Sequence, residues 1–130
     1  MQVNEQNYVD MAEKVICSLK NKKNKQGRAI PMVTTSKLRN LLAMTIDIYN
    51  ETMDKKEEKL DPDICSRIEY LRVRFLYEAG REPAVRNFVD EAGIINLLKH
   101  INGSKKNYVL FNRYMEALVA FHKYHGGKDN

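Results

Sequence analysis

Apolar side chains recur along this sequence every three or four residues, the spacing that places them on one face of an α-helix. The clearest example runs from Thr34 to Met53. Its apolar face is predicted to comprise Leu38, Leu41, Leu42, Thr45, Ile46, Tyr49 and Met53. Either Thr34 or Thr35 can cap the start of this helix, because a hydroxyl oxygen there accepts a hydrogen bond from a free backbone N–H.

Helical spacing continues on both sides of this segment. A first helix is predicted from Tyr8 to Leu19. Further on, Asp61 is a favourable N-cap and Pro62 fits the first helical position. Gly80 is predicted to end that helix, since glycine readily adopts the left-handed conformation found at helix ends. Its core face is predicted to contain Ile64, Cys65, Ile68, Leu71, Phe75 and Ala79.

Three further helices are predicted after Gly80. Pro83 opens one with Ala84, Val85, Phe88 and Val89 buried; another runs from Ile94 to Ile101, and the last from about Lys105 to Tyr124. The last one is predicted to bury Leu110, Phe111, Tyr114, Ala117, Leu118 and Phe121. No segment shows the period-two alternation of a strand. The fold class is therefore predicted to be all-α, a compact bundle of five or six helices in a single domain over residues 1–130.

Length, charge and cysteine content narrow the class of protein. The 130 residues carry 22 Lys and Arg against 17 Asp and Glu, a net charge of +5 that permits nucleic-acid binding without requiring it. No apolar run is long enough to span a membrane, and no secretory signal is evident. A cytoplasmic protein with reduced thiols at Cys17 and Cys65 is expected.

Residues 20–28 carry five cations and no acid. Together with residues up to 33 they are predicted to form a flexible basic loop, and residues 126–130 a loose tail. Two interpretations of the loop remain open. It is either a solvated linker or a basic arm, containing Lys25 and Arg28, that contacts a phosphate backbone.

Positive charge is also placed at the start of the central helix. A helix N-terminus favours acidic residues, yet Lys37 and Arg39 occupy its first turns and no carboxylate precedes Asp47. Free N–H groups, hydroxyls and two cations at one helix end are suited to binding an anion.

The helix after Asp61 carries a second basic surface. Its members fall at three- and four-residue steps: Arg67, Tyr70, Arg74, Tyr77 and Arg81. Arginine binds phosphate through paired hydrogen bonds, and tyrosine can stack on an unpaired base. In the alternative interpretation the arginines pair with Glu69 and Glu78 while the tyrosines cover neighbouring helices. Such a stripe also suits a protein–protein interface.

The sequence lacks the common catalytic motifs. It has no glycine-rich phosphate loop, no G-x-S-x-G and no H-E-x-x-H. His122 and His125 are three residues apart, but without further ligands they are predicted to be surface histidines and not a metal site. Cys65 is expected to be an inert thiol. The sequence therefore predicts a binding or scaffold protein, with no catalytic residues, metal or cofactor.

Three blocks of the sequence resemble one known family, in the family's order. They are residues 34–42 (TTSKLRNLL), residues 69–75 with 77–81 (EYLRVRF and YEAGR), and residues 114–124 (YMEALVAFHKY). The family is the small, Csm-type subunit of type III-A CRISPR effector complexes. The resemblance implies an all-α, non-catalytic subunit that binds RNA in antiviral defence.

In that family, copies of the subunit line up inside a ribonucleoprotein filament. The implied partners are the guide (CRISPR) RNA and target RNA, the repeated backbone subunit, the large signalling subunit and neighbouring copies of the chain itself. The subunit helps to hold the guide–target duplex, and the backbone subunit cuts the target. Because guides differ in sequence, phosphate and ribose contacts are expected. The residues predicted to bind RNA are Lys37, Arg39, Arg67, Arg74 and Arg81, followed by Arg28, Lys25 and Arg113.

Two other classes of protein are alternatives to an RNA-binding subunit. Val109, Val119 and Ala120 fall outside the apolar face of the last helix and suit a helical scaffold subunit that contacts only proteins. A helical DNA-binding regulator is disfavoured, because it needs a tight helix-turn-helix with a polar recognition helix.

Overall fold

The computed structural model describes residues 2–129; Met1 and Asn130, the last residue of the predicted tail, lie outside the described residues. The described chain forms six helices and no strand, which confirms the all-α prediction. The helices are α1 (Tyr8–Lys20), α2 (Thr35–Asp54), α3 (Pro62–Arg81), α4 (Pro83–Ala92), α5 (Ile94–Lys99) and α6 (Lys105–Tyr124).

The helix α6 lies at the centre of the bundle. It packs against α1 and α2, while α3 packs against α2, α4 and α5. The fully buried hydrophobic residues of α6 are Tyr108, Tyr114, Met115 and Leu118, and Phe111 is 2% exposed. The rings of Phe75 and Phe111 meet edge to face with centroids 6.4 Å apart, which joins α3 to this core. Among residues 2–129, no helix is both long and apolar enough to cross a membrane.

Two predicted helix starts are confirmed by their caps. The side-chain oxygen of Thr34 accepts a hydrogen bond from the Lys37 N–H at 3.2 Å. A carboxylate oxygen of Asp61 accepts one from the Ile64 N–H at 2.9 Å, and Pro62 occupies the first turn. Each cap satisfies a backbone donor that the helix itself leaves unpaired.

The predicted end of α3 at Gly80 is wrong. The helix continues through Gly80 to Arg81, and Glu82 leaves it in an extended conformation. Pro83 explains this ending, because a residue that precedes proline is driven out of the helical region. A glycine that does end a helix in the left-handed conformation is Gly93, with φ of 68°, between α4 and α5. The helix α5 also ends at Lys99, two residues before the predicted Ile101.

The buried face of α2 differs from the predicted one by part of a turn. It comprises Thr35, Leu38, Leu41, Thr45, Ile48 and Thr52. The predicted Leu42, Ile46 and Tyr49 are only half-buried and Met53 is exposed. Because α2 packs against both α6 and α3, its buried side faces the space between them. Two of the three buried threonines have a polar partner: the Thr35 hydroxyl lies 3.2 Å from His122 Nδ1, and the Thr45 hydroxyl donates to the Asn112 side-chain oxygen at 2.7 Å. The buried Thr52 hydroxyl has no hydrogen-bond partner among the described residues.

His122 corrects the prediction of a surface histidine. It is 1% exposed, and its Nε2 lies 2.6 Å from the carbonyl oxygen of Val33 while its Nδ1 lies 3.2 Å from the Thr35 hydroxyl. Burial lowers the pKa of His122. This side chain fixes the end of α6 to the start of α2. His125 is half-buried and lies 3.2 Å from Glu13.

The two segments predicted to be flexible or loose both contain backbone hydrogen bonds. The basic loop turns back on itself. The Asn24 N–H donates to the carbonyl oxygen of Arg28 at 2.8 Å, and the Ile30 N–H donates to the carbonyl oxygen of Lys22 at 3.0 Å. In the tail, the carbonyl of Lys128 accepts from the Thr35 N–H at 2.8 Å. Flexibility of the loop stays a prediction, whereas the described part of the tail is attached to the start of α2.

Candidate nucleic-acid interface

A groove between α2 and α3 gathers the largest group of the predicted cations. It consists of two clefts of about 300 and 290 Å³ that share Met44 and Arg74 as lining residues. We call it the α2/α3 groove. Its polar and aromatic lining residues are Lys37, Asn40 and Asp47 from α2 and Arg67, Tyr70, Arg74, Glu78 and Arg81 from α3.

The arrangement of the α3 arginines follows from the helix period. Arg67, Arg74 and Arg81 are seven residues apart, close to two turns, so they lie on one side of the helix about 10 Å apart along its axis. The apolar residues of α3 fall on another side, where Ile68, Leu71 and Phe75 are buried. Packing of the apolar side against the core therefore turns all three arginines toward α2.

Carboxylates accompany each cation of the groove. The Lys37 ammonium lies 3.0 Å from Glu82, and Arg67 pairs with Glu51 across the two helices. Glu78 pairs with both remaining arginines, at 3.9 Å from Arg74 and 3.4 Å from Arg81. The alternative in which arginines pair with acids is thus confirmed for Glu78. Glu69 pairs instead with Arg72 at 2.8 Å, outside the groove lining.

The two tyrosines of the stripe are exposed. Tyr70 and Tyr77 are 63% and 59% accessible, so the interpretation in which they cover neighbouring helices is wrong. The Arg81 guanidinium carbon lies 5.6 Å from the centre of the Tyr77 ring, within the range of a cation–π contact. Exposed aromatic faces beside arginines can stack on nucleic-acid bases.

Arg39 lies apart from this groove. It is exposed, and its charge acts on the tail: Lys123, and to a smaller extent Arg39, lower the pKa of Asp129. The anion site predicted at this helix end is also occupied by the chain itself. The carbonyl oxygens of Lys128 and Asp129 accept hydrogen bonds from the N–H groups of Thr35 and Ser36, at 2.8 and 3.2 Å.

The remaining predicted cations are scattered. Lys25 and Arg28 are exposed in the basic loop, and Arg113 lines clefts on α6 together with Tyr8 of α1. Of the eight predicted residues, the structure therefore brings together Lys37, Arg67, Arg74 and Arg81 and leaves the other four elsewhere.

The structure also shows an apolar surface that sequence reasoning missed. Val73 and Leu76 on α3 are 54% and 52% exposed. They lie three residues apart, away from both the buried side and the arginines. Two apolar residues at helical spacing outside the predicted core face could have indicated this surface from the sequence. By contrast, Val109 and Val119 are half-buried, Val119 packs against the core, and only Ala120 of that predicted surface is exposed.

Potential metal ligands are dispersed over the described chain. Within residues 2–129, no three His, Cys, Asp or Glu side chains are close enough to hold a metal ion together. Cys17 and Cys65 are free and half-buried. Burial raises the pKa values of Tyr108 and Tyr114 well above the usual range. Their hydroxyls donate to the carbonyl oxygens of Thr45 and Ala92, at 2.8 and 2.9 Å, and so act in packing.

Comparison with known proteins identifies the family. Residues 7–128 match the family described as Csm2 Type III-A. The chain is 42% identical over 125 residues to "CRISPR system Cms protein Csm2" of Streptococcus thermophilus, covering 96% of each chain. It is 40% identical over 129 residues to the protein of that name from Mycobacterium tuberculosis strain CDC 1551, covering 99% of each. A relative from Enterococcus italicus is 36% identical over 123 residues, 90% of this chain and 88% of its own. The chain therefore belongs to the Csm2 family, the small subunit of type III-A CRISPR complexes.

Proposed function

We propose that this protein is a non-catalytic, RNA-binding small subunit of a type III-A CRISPR ribonucleoprotein that acts in the cytoplasm. It stabilises the duplex of guide RNA and target RNA along the filament in antiviral defence. The observation that carries the proposal is the α2/α3 groove, in which four cations and Tyr70 line one surface next to the exposed Tyr77.

The chemistry of the groove suits a sequence-independent contact. Arginine forks bind phosphate oxygens with paired hydrogen bonds, and lysine adds a point charge. Tyrosine rings stack on any base or contact ribose, so neither group reads base identity. A subunit that accompanies guides of different sequence needs this kind of binding, because base pairing alone reads the target.

Val73 and Leu76 support the protein partners of this proposal. An exposed apolar pair on a helix is suited to burial against another subunit. We assign to this surface contacts with the repeated backbone subunit, the large signalling subunit or neighbouring copies of the chain. It lies on the same helix as the groove arginines, so α3 would join protein and RNA contacts.

Charge reversal inside and outside the groove tests the proposal. Arg67→Glu with Arg74→Glu should lower retention of target RNA by the assembled complex by about tenfold or more at physiological salt, because two phosphate contacts become repulsive. Arg72→Glu with Arg86→Glu is the matched control, with the same change in net charge on α3 and α4 but outside the groove lining. Equal retention by both double variants would contradict RNA binding at the groove.

The alternative is a helical scaffold subunit without RNA contact. It is favoured by the pairing of every groove cation with a carboxylate and by the exposed Val73 and Leu76. Crosslinking of the assembled complex separates the two functions. Crosslinks from RNA to Tyr70 or Tyr77 support RNA binding, whereas partners that stay bound after complete nuclease digestion, without any such crosslink, support the scaffold.

A further inference from the structure

Glu78 occupies an unusual position among the ion pairs of the described residues. One of its carboxylate oxygens lies 3.4 Å from Arg81 and the other 3.9 Å from Arg74. Its side chain is only 16% exposed, while Glu51 and Glu82, the other carboxylates paired with groove cations, are far more accessible and bind one cation each. Glu78 thus lies within the groove, between the two arginines that a phosphate group would need.

Through Arg81, the Glu78 carboxylate also affects access to the ring of Tyr77. Arg81 is held between Glu78 on one side and the ring of Tyr77 on the other, with the guanidinium 5.6 Å from the ring centre. In this arrangement one terminal nitrogen of the Arg81 guanidinium contacts Glu78, and the guanidinium covers one face of the Tyr77 ring. Phosphate binding at that nitrogen and base stacking on that face of Tyr77 therefore both require that Arg81 moves away from Glu78.

We propose that Glu78 is a built-in competitor of RNA phosphate, which holds Arg74 and Arg81 in the free protein and lowers the affinity of each subunit for RNA. The proposal rests on the proposed RNA binding at the α2/α3 groove and adds a regulation of that site. A phosphate that binds Arg74 and Arg81 together competes with the carboxylate that lies between them. Because Glu78 is mostly removed from water, its attraction to the arginines is screened less than that of an exposed acid.

Low affinity at each site suits a subunit that acts in multiple copies. A single free chain would bind cellular RNA weakly, because each contact has to overcome the Glu78 ion pairs. Several copies on one duplex raise the effective concentration of each groove, so weak contacts together retain the RNA. Glu78 would in this way restrict RNA binding to the assembled complex.

The test compares two isosteric substitutions on the same helix. Glu78→Gln removes the competitor, whereas Glu69→Gln removes an equal charge from a carboxylate that pairs with Arg72 outside the groove lining. The 130-residue chain is titrated against a fluorescent single-stranded RNA of mixed sequence at low salt. Glu78→Gln should tighten binding by about 3- to 10-fold and Glu69→Gln by less than about 2-fold, since only the first frees groove arginines. Thermal melts verify that both variants fold, and Glu78→Ala provides a second variant with the same expected direction.

A second measurement does not depend on RNA. Hydrogen exchange of the arginine side-chain N–H groups, followed by NMR in the free protein, should accelerate at Arg74 and Arg81 in Glu78→Gln and remain unchanged in Glu69→Gln. Equal tightening by both substitutions, or unchanged exchange at both arginines, would overturn the role of Glu78. If Arg67→Glu with Arg74→Glu leaves RNA retention intact, the proposed RNA site itself fails, whatever the exchange rates show.

Discussion

His122 shows how one buried polar side chain links distant parts of the chain. Because a carbonyl oxygen only accepts hydrogen bonds, Nε2 carries the proton that it donates to Val33, and Nδ1 accepts from the Thr35 hydroxyl. The neutral ring satisfies both partners. A second proton on Nδ1 would place a charge in a buried site with Lys123 nearby, and Asp129 offsets only part of that cost.

Stability should therefore fall in acid through His122. Burial lowers the pKa of His122 in the folded protein, whereas the unfolded chain keeps a value of about 6.5. The unfolded state then binds more protons below pH 6.5, so the free energy of unfolding is constant above that pH and decreases as the pH falls toward the folded pKa. The loss amounts to about 1.4 kcal/mol for each unit by which folding lowers the pKa.

Urea unfolding at several pH values between 7.5 and 5 measures this effect. His122→Gln keeps a donor for the Val33 carbonyl and removes the titration, so its curve should be flatter than that of the unsubstituted protein. His100→Gln is the control, because His100 is exposed. A His122→Gln curve parallel to the original would show that His122 does not cause the acid sensitivity.

At the scale of the helix, position around the axis decides which cations of α2 act in the groove. Lys37 and Arg39 are only two residues apart, but two residues correspond to about 200° of rotation. Lys37 therefore faces α3 and pairs with Glu82, while Arg39 lies toward Asp129 and the tail.

This difference predicts unequal effects of two otherwise similar substitutions. Lys37→Glu should weaken retention of target RNA in the assembled complex by about 3- to 10-fold, because a groove cation becomes an anion. Arg39→Glu changes the net charge equally and should weaken retention by less than about 2-fold, since it lies outside the groove. A filter-binding or gel-shift assay measures both. Equal losses would mean that overall charge, and not the groove, governs binding.

Local sequence rules explain most of the helix boundaries. The caps at Thr34 and Asp61 form as predicted because the N-cap interaction depends only on neighbouring residues. Gly80 does not end α3 because Pro83 sets the boundary by steric exclusion, so that the helix ends at Arg81, one residue beyond the glycine. Where two local signals compete, the one that restricts the backbone more strongly determines the residue at which the helix ends.

At the scale of the whole molecule, α3 separates three kinds of surface. One side is buried in the core, one lines the α2/α3 groove, and a third exposes Val73 and Leu76. A surface used only by partners should contribute little to the folding of the isolated chain.

Substitution of the exposed pair tests that separation. Val73→Ser with Leu76→Ser should change the free energy of unfolding by less than about 1 kcal/mol, because neither side chain is buried. The same variant should be recovered with the other subunits in reduced yield when the complex is purified. Val9→Ser with Met53→Ser, which alters exposed apolar residues on α1 and α2, is the matched control. Full recovery of the Val73 and Leu76 variant would exclude this surface as a subunit contact.

The sequence by itself determined the all-α class, the start of each helix and the stripe of Arg67, Arg74 and Arg81. It also pointed to the family, since short blocks such as residues 34–42 are read without any structure. These features depend only on the helix period and on neighbouring residues, and both can be read directly from the sequence. The contacts between side chains of different helices cannot be read from the sequence in this way.

Only the tertiary structure decided which charged groups meet. The pairing of Lys37 with Glu82 and of Arg67 with Glu51, the burial of His122 and the tail that occupies the start of α2 all join residues from separate elements. Periodicity gives the angle of a side chain around its own helix, but not the rotation at which that helix packs against the next one. That rotation is set by α6 and the core around it, and it leaves Arg39 out of the groove that Lys37 lines.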